Sequence, residues 1–309
     1  MLLGMNRKAI RDLVDRHAPS EGITETPLEG VQMYRVGAPI ERIPTVYPPS
    51  LCVIVQGSKR VYLNRSMYVY DDSQYLCATM PMPLEAELPR ATPEEPVLGL
   101  LISLESRVMT ETLVEYEPSA GQIRASRDAE PTPGLAVVDW DDDFATALER
   151  MLALLGDPTA LRVLGLGRLR ELLFLVIQGG AGPLIRRTFG ASHDLSRALA
   201  YLHANLGESL SVDDLARRAG MSRPVFDRRF RAATTFSPLQ FIKALRLNQA
   251  AMQIARGINI GQAAFDVGYT SASQFSREFR RQYGKTPRQW GKVAAGSVPD
   301  AQAAAIYAR

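Results

Sequence analysis

Two stretches of this 309-residue chain repeat side chains suited to polyanion chemistry at one spacing. The first, GMSRPVFDRRFRAATTFSP, runs from Gly220 to Pro238. The second, GYTSASQFSREFRRQYGKTP, runs from Gly268 to Pro287. Each opens on Gly, an apolar residue and a hydroxyl residue, and each closes on a hydroxyl residue and Pro. Each holds a Phe pair four apart, Phe226/Phe230 and Phe275/Phe279, amid arginines. A guanidinium is a fixed fork of N–H donors that matches phosphate oxygens and the O6/N7 edge of guanine.

The elements that position these arginines emerge from the register. Ala216 and Gly220 stand four apart, as do Ala264 and Gly268, at an offset of 48, and the Phe pairs are offset by 49. Each unit is predicted as a short helix, a glycine turn and a second helix. The small Ala allows close helix approach, and the Gly takes the backbone geometry at which the first helix stops. Phe residues one turn apart face inward, which leaves an arginine-rich face outward. That describes a helix-turn-helix that reads DNA. Ser237–Ala255, between the units, is predicted as one helix of ~28 Å at ~1.5 Å per residue. Successive major grooves on one face of B-DNA lie ~34 Å apart.

Composition agrees with a soluble two-domain protein: 46% hydrophobic, 22% charged. No run of about 18 apolar residues predicts a membrane span. The opening MLLGMNRKAIRDLVDRHAP reads as a short amphipathic helix rather than a secretion signal. Two cysteines, Cys52 and Cys77, make no disulfide framework, so a reducing cytoplasm is expected. The net charge of +3 is unevenly spread. Asp194–Lys292 holds 16 Lys+Arg against 7 Asp+Glu, whereas Met1–His193 holds 19 against 25. A basic block suits a polyanionic partner, with a solvated charged face as the alternative.

Residues 30–102 read as β-rich. LCVIVQG, KRVYLN, SMYVYD and QYLCATM are short strands split by polar turns. Pro81, Pro83, Pro89, Pro93 and Pro96 break the next stretch, before VLGLLISL returns as a strand. Residues 103–116 are a short helix candidate. After a loop rich in Pro, Gly and Ser, 139–156 and 157–180 are helical, the latter with Asp157 as cap and Pro158 at its first position. That helix is apolar around much of its circumference, so it packs within the subunit or against a second copy.

Residues 194–292 resemble the DNA-binding domain of the AraC/XylS family of transcription regulators. LARRAGMS, RRFRAATTFSPLQFIKALRLNQA and IGQAAFDVGYTSASQFSREFRRQYGKTP carry the likeness. PSLCVIVQGSKRVYLN and RLRELLFLVIQG resemble the cupin-like effector and dimerisation module of one AraC subgroup. The first reading helix exposes Arg223, Pro224, Asp227, Arg228 and Arg231, and the family pattern puts base contacts at Pro224, Asp227 and Arg228. Arg228 suits guanine. Asp227, where the family usually has a neutral or basic residue, either accepts from cytosine or orients Arg228 or Arg231. In the second unit the pattern maps to Ser273, Gln274, Ser276 and Arg277, with Gln274 suited to adenine; Arg280, Arg281 and Lys285 are expected to touch phosphate or water. Thr235 stands where the family commonly has Gly, which implies a tighter or less regular turn.

Metal-dependent cupin chemistry needs clustered histidines. The three here, His17, His193 and His203, all lie outside Val31–Leu104, so no metal or other cofactor and no enzyme activity is expected. The module reads instead as an effector pocket, with Cys52, Tyr62, Tyr68, Tyr70 and Cys77 as candidates and Tyr34 beside them; alternation lets about half face inward. Cys52 is either a small core residue or a thiol reactive toward electrophiles or oxidants.

The expected fold is α+β. An effector-binding and dimerisation domain spans 1–188, with a barrel over about 20–135 and helices over 139–188. An all-α double helix-turn-helix spans 189–292, and a flexible tail 293–309. The expected protein is a cytoplasmic, homodimeric regulator, an activator by preference. It partners duplex operator DNA, RNA polymerase and a small-molecule effector. The alternative is a ligand-free regulator controlled by abundance or a protein partner.

Overall fold

The structure is a computed structural model that describes residues 2–104, 107–119, 134–189 and 194–296. The helix α1 (Leu2–His17) leads into β1 (Gly22–Glu25), β2 (Val31–Val36), β3 (Ile40–Tyr47), β4 (Ser50–Gln56), β5 (Ser58–Leu63), β6 (Ser66–Asp71), β7 (Gln74–Ala78), β8 (Met82–Leu88) and β9 (Val97–Ser103). Then come α2 (Arg107–Ser119), β10 (Leu135–Asp139), α3 (Asp142–Ala153), α4 (Pro158–Gln178) and α5 (Gly182–Phe189). The C-terminal module is α6 (Asp194–Ala204), α7 (Val212–Arg218), α8 (Arg223–Thr234), α9 (Pro238–Ala255), α10 (Ile260–Asp266), α11 (Ala272–Tyr283) and α12 (Pro287–Gly296).

The strands form a six-stranded sheet, β1-β2-β9-β4-β7-β10, and a four-stranded sheet, β3-β8-β5-β6. The barrel is therefore flattened into two facing sheets. Side chains alternate along each strand, so one face of the larger sheet buries Tyr34, Cys52 and Ile54 against Tyr47, Val61 and Tyr70 of the smaller sheet. Its other face buries Met33, Leu51, Val53 and Cys77 under α1, α3 and α4. β4 is covered on both faces, which is why Leu51–Val55 is an unbroken apolar run.

Three expectations change. Pro83 does not break the chain but lies inside β8. It pairs with Val46 of β3, and the β5 ladder is formed farther along, at Glu85–Glu87, so the missing N–H costs no bond on that side. β10, where a loop passing into helix was expected, pairs along β7 from Leu135↔Ala78 to Asp139↔Gln74. The last helix runs on to Gly296, beyond the expected end of the module at Lys292. Residues 120–133 and 297–309 lie outside the described residues.

The cap expected at Asp157 forms, and Asp141 and Ser237 cap their helices in the same way. Asp141 accepts from Phe144 N at 2.7 Å, and Asp157 accepts from Thr159 N and Ala160 N. Ser237 and Gln240 form a reciprocal capping box at the start of α9. What the sequence does not announce is the seat of α9, which packs across β3 and β8 of the smaller sheet. At that seam the buried Asn248 amide donates to Thr45 O at 2.8 Å and Leu84 O at 2.9 Å. Gly134 N donates to Ala233 O, tying the start of β10 to the end of α8.

Candidate nucleic-acid interface

α7–α8 and α10–α11 are two copies of one unit. Gly220 and Gly268 end the first helix of each at φ of 60° and 86°, the left-handed region that glycine takes without a Cβ clash. Ala216 and Ala264 are buried at the helix contact. Phe226/Phe230 and Phe275/Phe279 are wholly buried, with ring centroids 5.3 and 5.4 Å apart. Each pair thereby fixes which face of α8 or α11 is outward. On those faces Pro224, Arg228 and Arg231, and then Ser273, Gln274, Arg277 and Arg280, are exposed, while Ser276 is half-buried.

The arginines divide by what they touch. Arg246 donates to Leu206 O and Glu208 O, Arg217 pairs with Asp214, and Arg218 lies over the Tyr201 ring at 3.5 Å. These build the scaffold. Among the described residues, Arg228, Arg231, Arg277 and Arg280 have neither a carboxylate nor a carbonyl partner, so their forks are available to an external anion. Arg223 is different. It bonds Asp227 at 3.0 Å and Asp213 at 2.9 Å, bridging α8 to α7. Asp227 therefore orients Arg223, not Arg228 or Arg231, because the i,i+4 position one turn back carries that cation.

Thr235 takes φ of 65° at the end of α8, where Gly284 takes 71° at the end of α11. The turn is thus the same in both copies, neither tighter nor less regular, and a β-branched residue holds a glycine conformation.

Comparison with known proteins agrees with this geometry. Residues 27–184 match the model described as AraC-type transcriptional regulator N-terminus, and 215–292 match a helix-turn-helix domain. The chain belongs to the AraC family of transcription regulators. It is 29% identical to the transcriptional regulator ArgR of Pseudomonas aeruginosa over 161 residues, 49% of each chain. It is 32% identical to the regulatory protein SoxS of Escherichia coli over 93 residues, 30% of this chain and 87% of SoxS. Apo ToxT of Vibrio cholerae, in a point-variant form, shares the fold at TM-score 0.53 and 10% identity, over 87% of this chain and 99% of that one. The chain thus spans about half the length of ArgR. AraC-type proteins are DNA-binding regulators, not enzymes. Among the described residues no helix is long and apolar enough to cross a membrane.

In this regulator the expected pocket residues divide between the barrel interior and its outer faces. Cys52 and Tyr70 face the barrel interior, where the Tyr70 hydroxyl donates to Cys52 Sγ at 3.2 Å and Tyr34 OH lies 3.5 Å from the same sulfur. Tyr34 reaches it because its ring lies across Gly99, where a Cβ would come within 2.4 Å of the ring. Tyr68 is half-buried against the same cluster. Tyr62 points away from that interior, bonds Glu87 at 2.5 Å and lies under Arg42, where the smaller sheet faces the DNA-binding module. Cys77 is a correction, since one residue of register from the Cys52–Leu76 pair places it on the helix-covered face. Burial there pushes its thiol up to about 12.

Two features escape sequence reasoning. Lys59 is wholly buried in the interior, its Nζ 3.9 Å from Cys52 Sγ and 5.2 Å from the Tyr47 ring centre. Burial lowers its pKa to about 8. Alternation with Val61 and Leu63 along β5 is the signal for its direction. The other is a crevice of about 480 Å³ between the smaller sheet and the DNA-binding module, lined among others by Arg42, Tyr62, Arg65, Lys243 and Arg281.

Proposed function

We propose that this AraC-type regulator reads an asymmetric operator through α8 and α11, and that a small molecule held between its two modules controls that reading. Arg228 and Arg277 are the leading base readers, and Arg231 and Arg280 neutralise phosphate. The observation that carries this reading is the pair of outward guanidinium faces set by buried Phe pairs. The scaffold repeats while the outward residues differ, so the two halves of each site differ in sequence.

The effector reading rests on the crevice. Arg42 pairs with Glu85 and Lys243 with Glu278, which leaves Arg65 and Arg281 as its excess charge, so an anionic small molecule suits it. ToxT, which shares the fold, has been solved with an unsaturated fatty acid bound. A ligand there touches both modules and shifts the balance between their docked and free arrangements. The ligand-free alternative has its own support, because Tyr34, Tyr47, Tyr70 and Lys59 fill the barrel interior.

The exposed apolar residues of α4, Val163, Leu164 and Leu166, support a homodimer through that helix. Transcription activation through RNA polymerase in the cytoplasm completes the proposal. Selection of operator sequences from random duplexes by the full-length protein tests the DNA reading; recovery of no common sequence overturns it. Gel shifts on that operator with a panel of carboxylates decide between the effector and ligand-free readings.

A further inference from the structure

We propose that Cys52 and Lys59 form a peroxide-sensing pair that closes into a covalent sulfur–nitrogen link inside the barrel. The proposal is independent of the crevice effector. Its basis is a cluster that neither the DNA interface nor the crevice uses. The Lys59 amine and the Tyr34 and Tyr70 hydroxyls converge on one sulfur, at 3.9, 3.5 and 3.2 Å. Cys52 and Lys59 are both buried. Placing an amine in an apolar interior costs stability that a leucine or methionine would not. Near neutral pH, burial leaves part of the Lys59 population as the neutral, nucleophilic amine.

The chemistry balances with hydrogen peroxide as the named oxidant. Cys52 sulfur attacks one peroxide oxygen, an S–O bond forms as O–O breaks, and the thiol proton leaves with the departing oxygen as water. Lys59 Nζ then attacks the sulfenic sulfur. An S–N bond forms as S–O breaks, and one amine proton leaves with hydroxide as a second water. Sulfenic acids are known to condense with amide nitrogen in this way. Peroxide is little larger than water, and local opening of the barrel admits it. The link joins β4 of the larger sheet to β5 of the smaller one, across Gly57. It draws Lys59 toward Cys52 and away from Tyr47 on β3, the strand whose Thr45 carbonyl holds Asn248. Oxidation is thereby connected to the seat of the DNA-binding module.

A disulfide with Cys77 is the rival product of the same mass change, and alternation opposes it, because the two sulfurs lie on opposite faces of one sheet.

The test is intact-mass analysis and peptide mapping of the full-length protein after peroxide treatment. The expected product is two hydrogens lighter, is restored by a thiol reductant, and maps as a Cys52–Lys59 cross-linked peptide. It persists in Cys77→Ala and is absent in Lys59→Met and Lys59→Arg, which gain oxygen instead. Two Lys59 variants guard against a folding defect in either, and circular dichroism checks both. Three results overturn the proposal. One is progressive oxygen addition in the wild type with Lys59 unmodified. Another is loss of the lighter product in Cys77→Ala. The third is no reaction at a peroxide concentration that oxidises the urea-unfolded protein.

Discussion

Asn248 accepts the Tyr283 hydroxyl at 2.7 Å while its amide nitrogen donates to Thr45 O and Leu84 O. One side chain of the spacer helix thus joins the second reading helix to two strands of the barrel. Burial holds the Tyr283 phenol well above its ordinary range, so it stays a donor.

Replacing Asn248 with Leu keeps the approximate size and strands two carbonyls and a hydroxyl. The expected cost is about 1–3 kcal/mol. Asn248→Asp is expected to cost more, because it sets a carboxylate against the Thr45 and Leu84 carbonyls. Urea midpoints of both variants check this. Limited proteolysis should cut Asn248→Leu faster between the modules, and an unchanged midpoint together with an unchanged cleavage rate would remove the seam bond from the account.

Arg228 and Arg280 are expected to fail in different ways. Arg228→Ala should weaken the selected operator by about 1–3 kcal/mol and relax the preference at one base position. Arg280→Ala should weaken every duplex nearly equally and reduce the salt slope by about 1. Titrations at several salt concentrations, on operator and on random duplex, separate the two. Equal behaviour of the two variants would sink the division into base readers and phosphate anchors.

The parts legible in the sequence are those written locally. Ala216, Gly220 and the Phe pair specify one helix-turn-helix within twenty residues, and their repetition confirms it. Asp157 and Ser237 announce helix starts because a cap bonds two or three residues ahead. Pro83 misleads because its tolerance depends on which stretch of β8 pairs with β5, a fact of tertiary register. Asn248 looks like any polar position of an amphipathic helix, since its partners at Thr45 and Leu84 lie 203 and 164 residues away. Lys59 is readable in direction from its alternation with Val61, but lysine is so rarely buried that its residue type argues the other way.

Lys59 should give stability a pH signature. Its folded pKa of about 8 lies below the usual 10.5, so between those values the unfolded chain binds the extra proton. The penalty is therefore in full force below about pH 8 and is relieved as pH rises toward 10.5. Taken over the whole window it amounts to at most about 3 kcal/mol. Lys59→Met should be more stable than wild type at pH 7, and the gap should narrow by pH 10. Denaturant unfolding of both proteins across that range checks the sign; a gap constant with pH would contradict it.

The α4 dimer is expected to depend on Leu166, which is 62% exposed on the helix. Leu166→Asp should leave the monomer folded, since nothing buried is touched, and should shift a concentration-dependent dimer to monomer in sedimentation. A wild type that is monomeric at high micromolar concentration would refute the interface.

Thr235 and Gly284 hold the same left-handed turn, at φ of 65° and 71°. An L residue there costs about 1–2 kcal/mol of backbone strain, which glycine does not incur. Glycine loses more freedom on folding, which offsets part of that gain. Thr235→Gly should therefore stabilise the protein by about 1 kcal/mol, and Gly284→Thr should destabilise it by about 1–2 kcal/mol. The first substitution also removes the buried Thr235 Oγ1, which finds no hydrogen-bond partner among the described residues, so its sign is doubly supported. Thermal unfolding of the two variants side by side reads both effects. If Thr235→Gly lowers the midpoint, the threonine supplies a contact that outweighs its strain, and the equivalence of the two turns is one of shape alone.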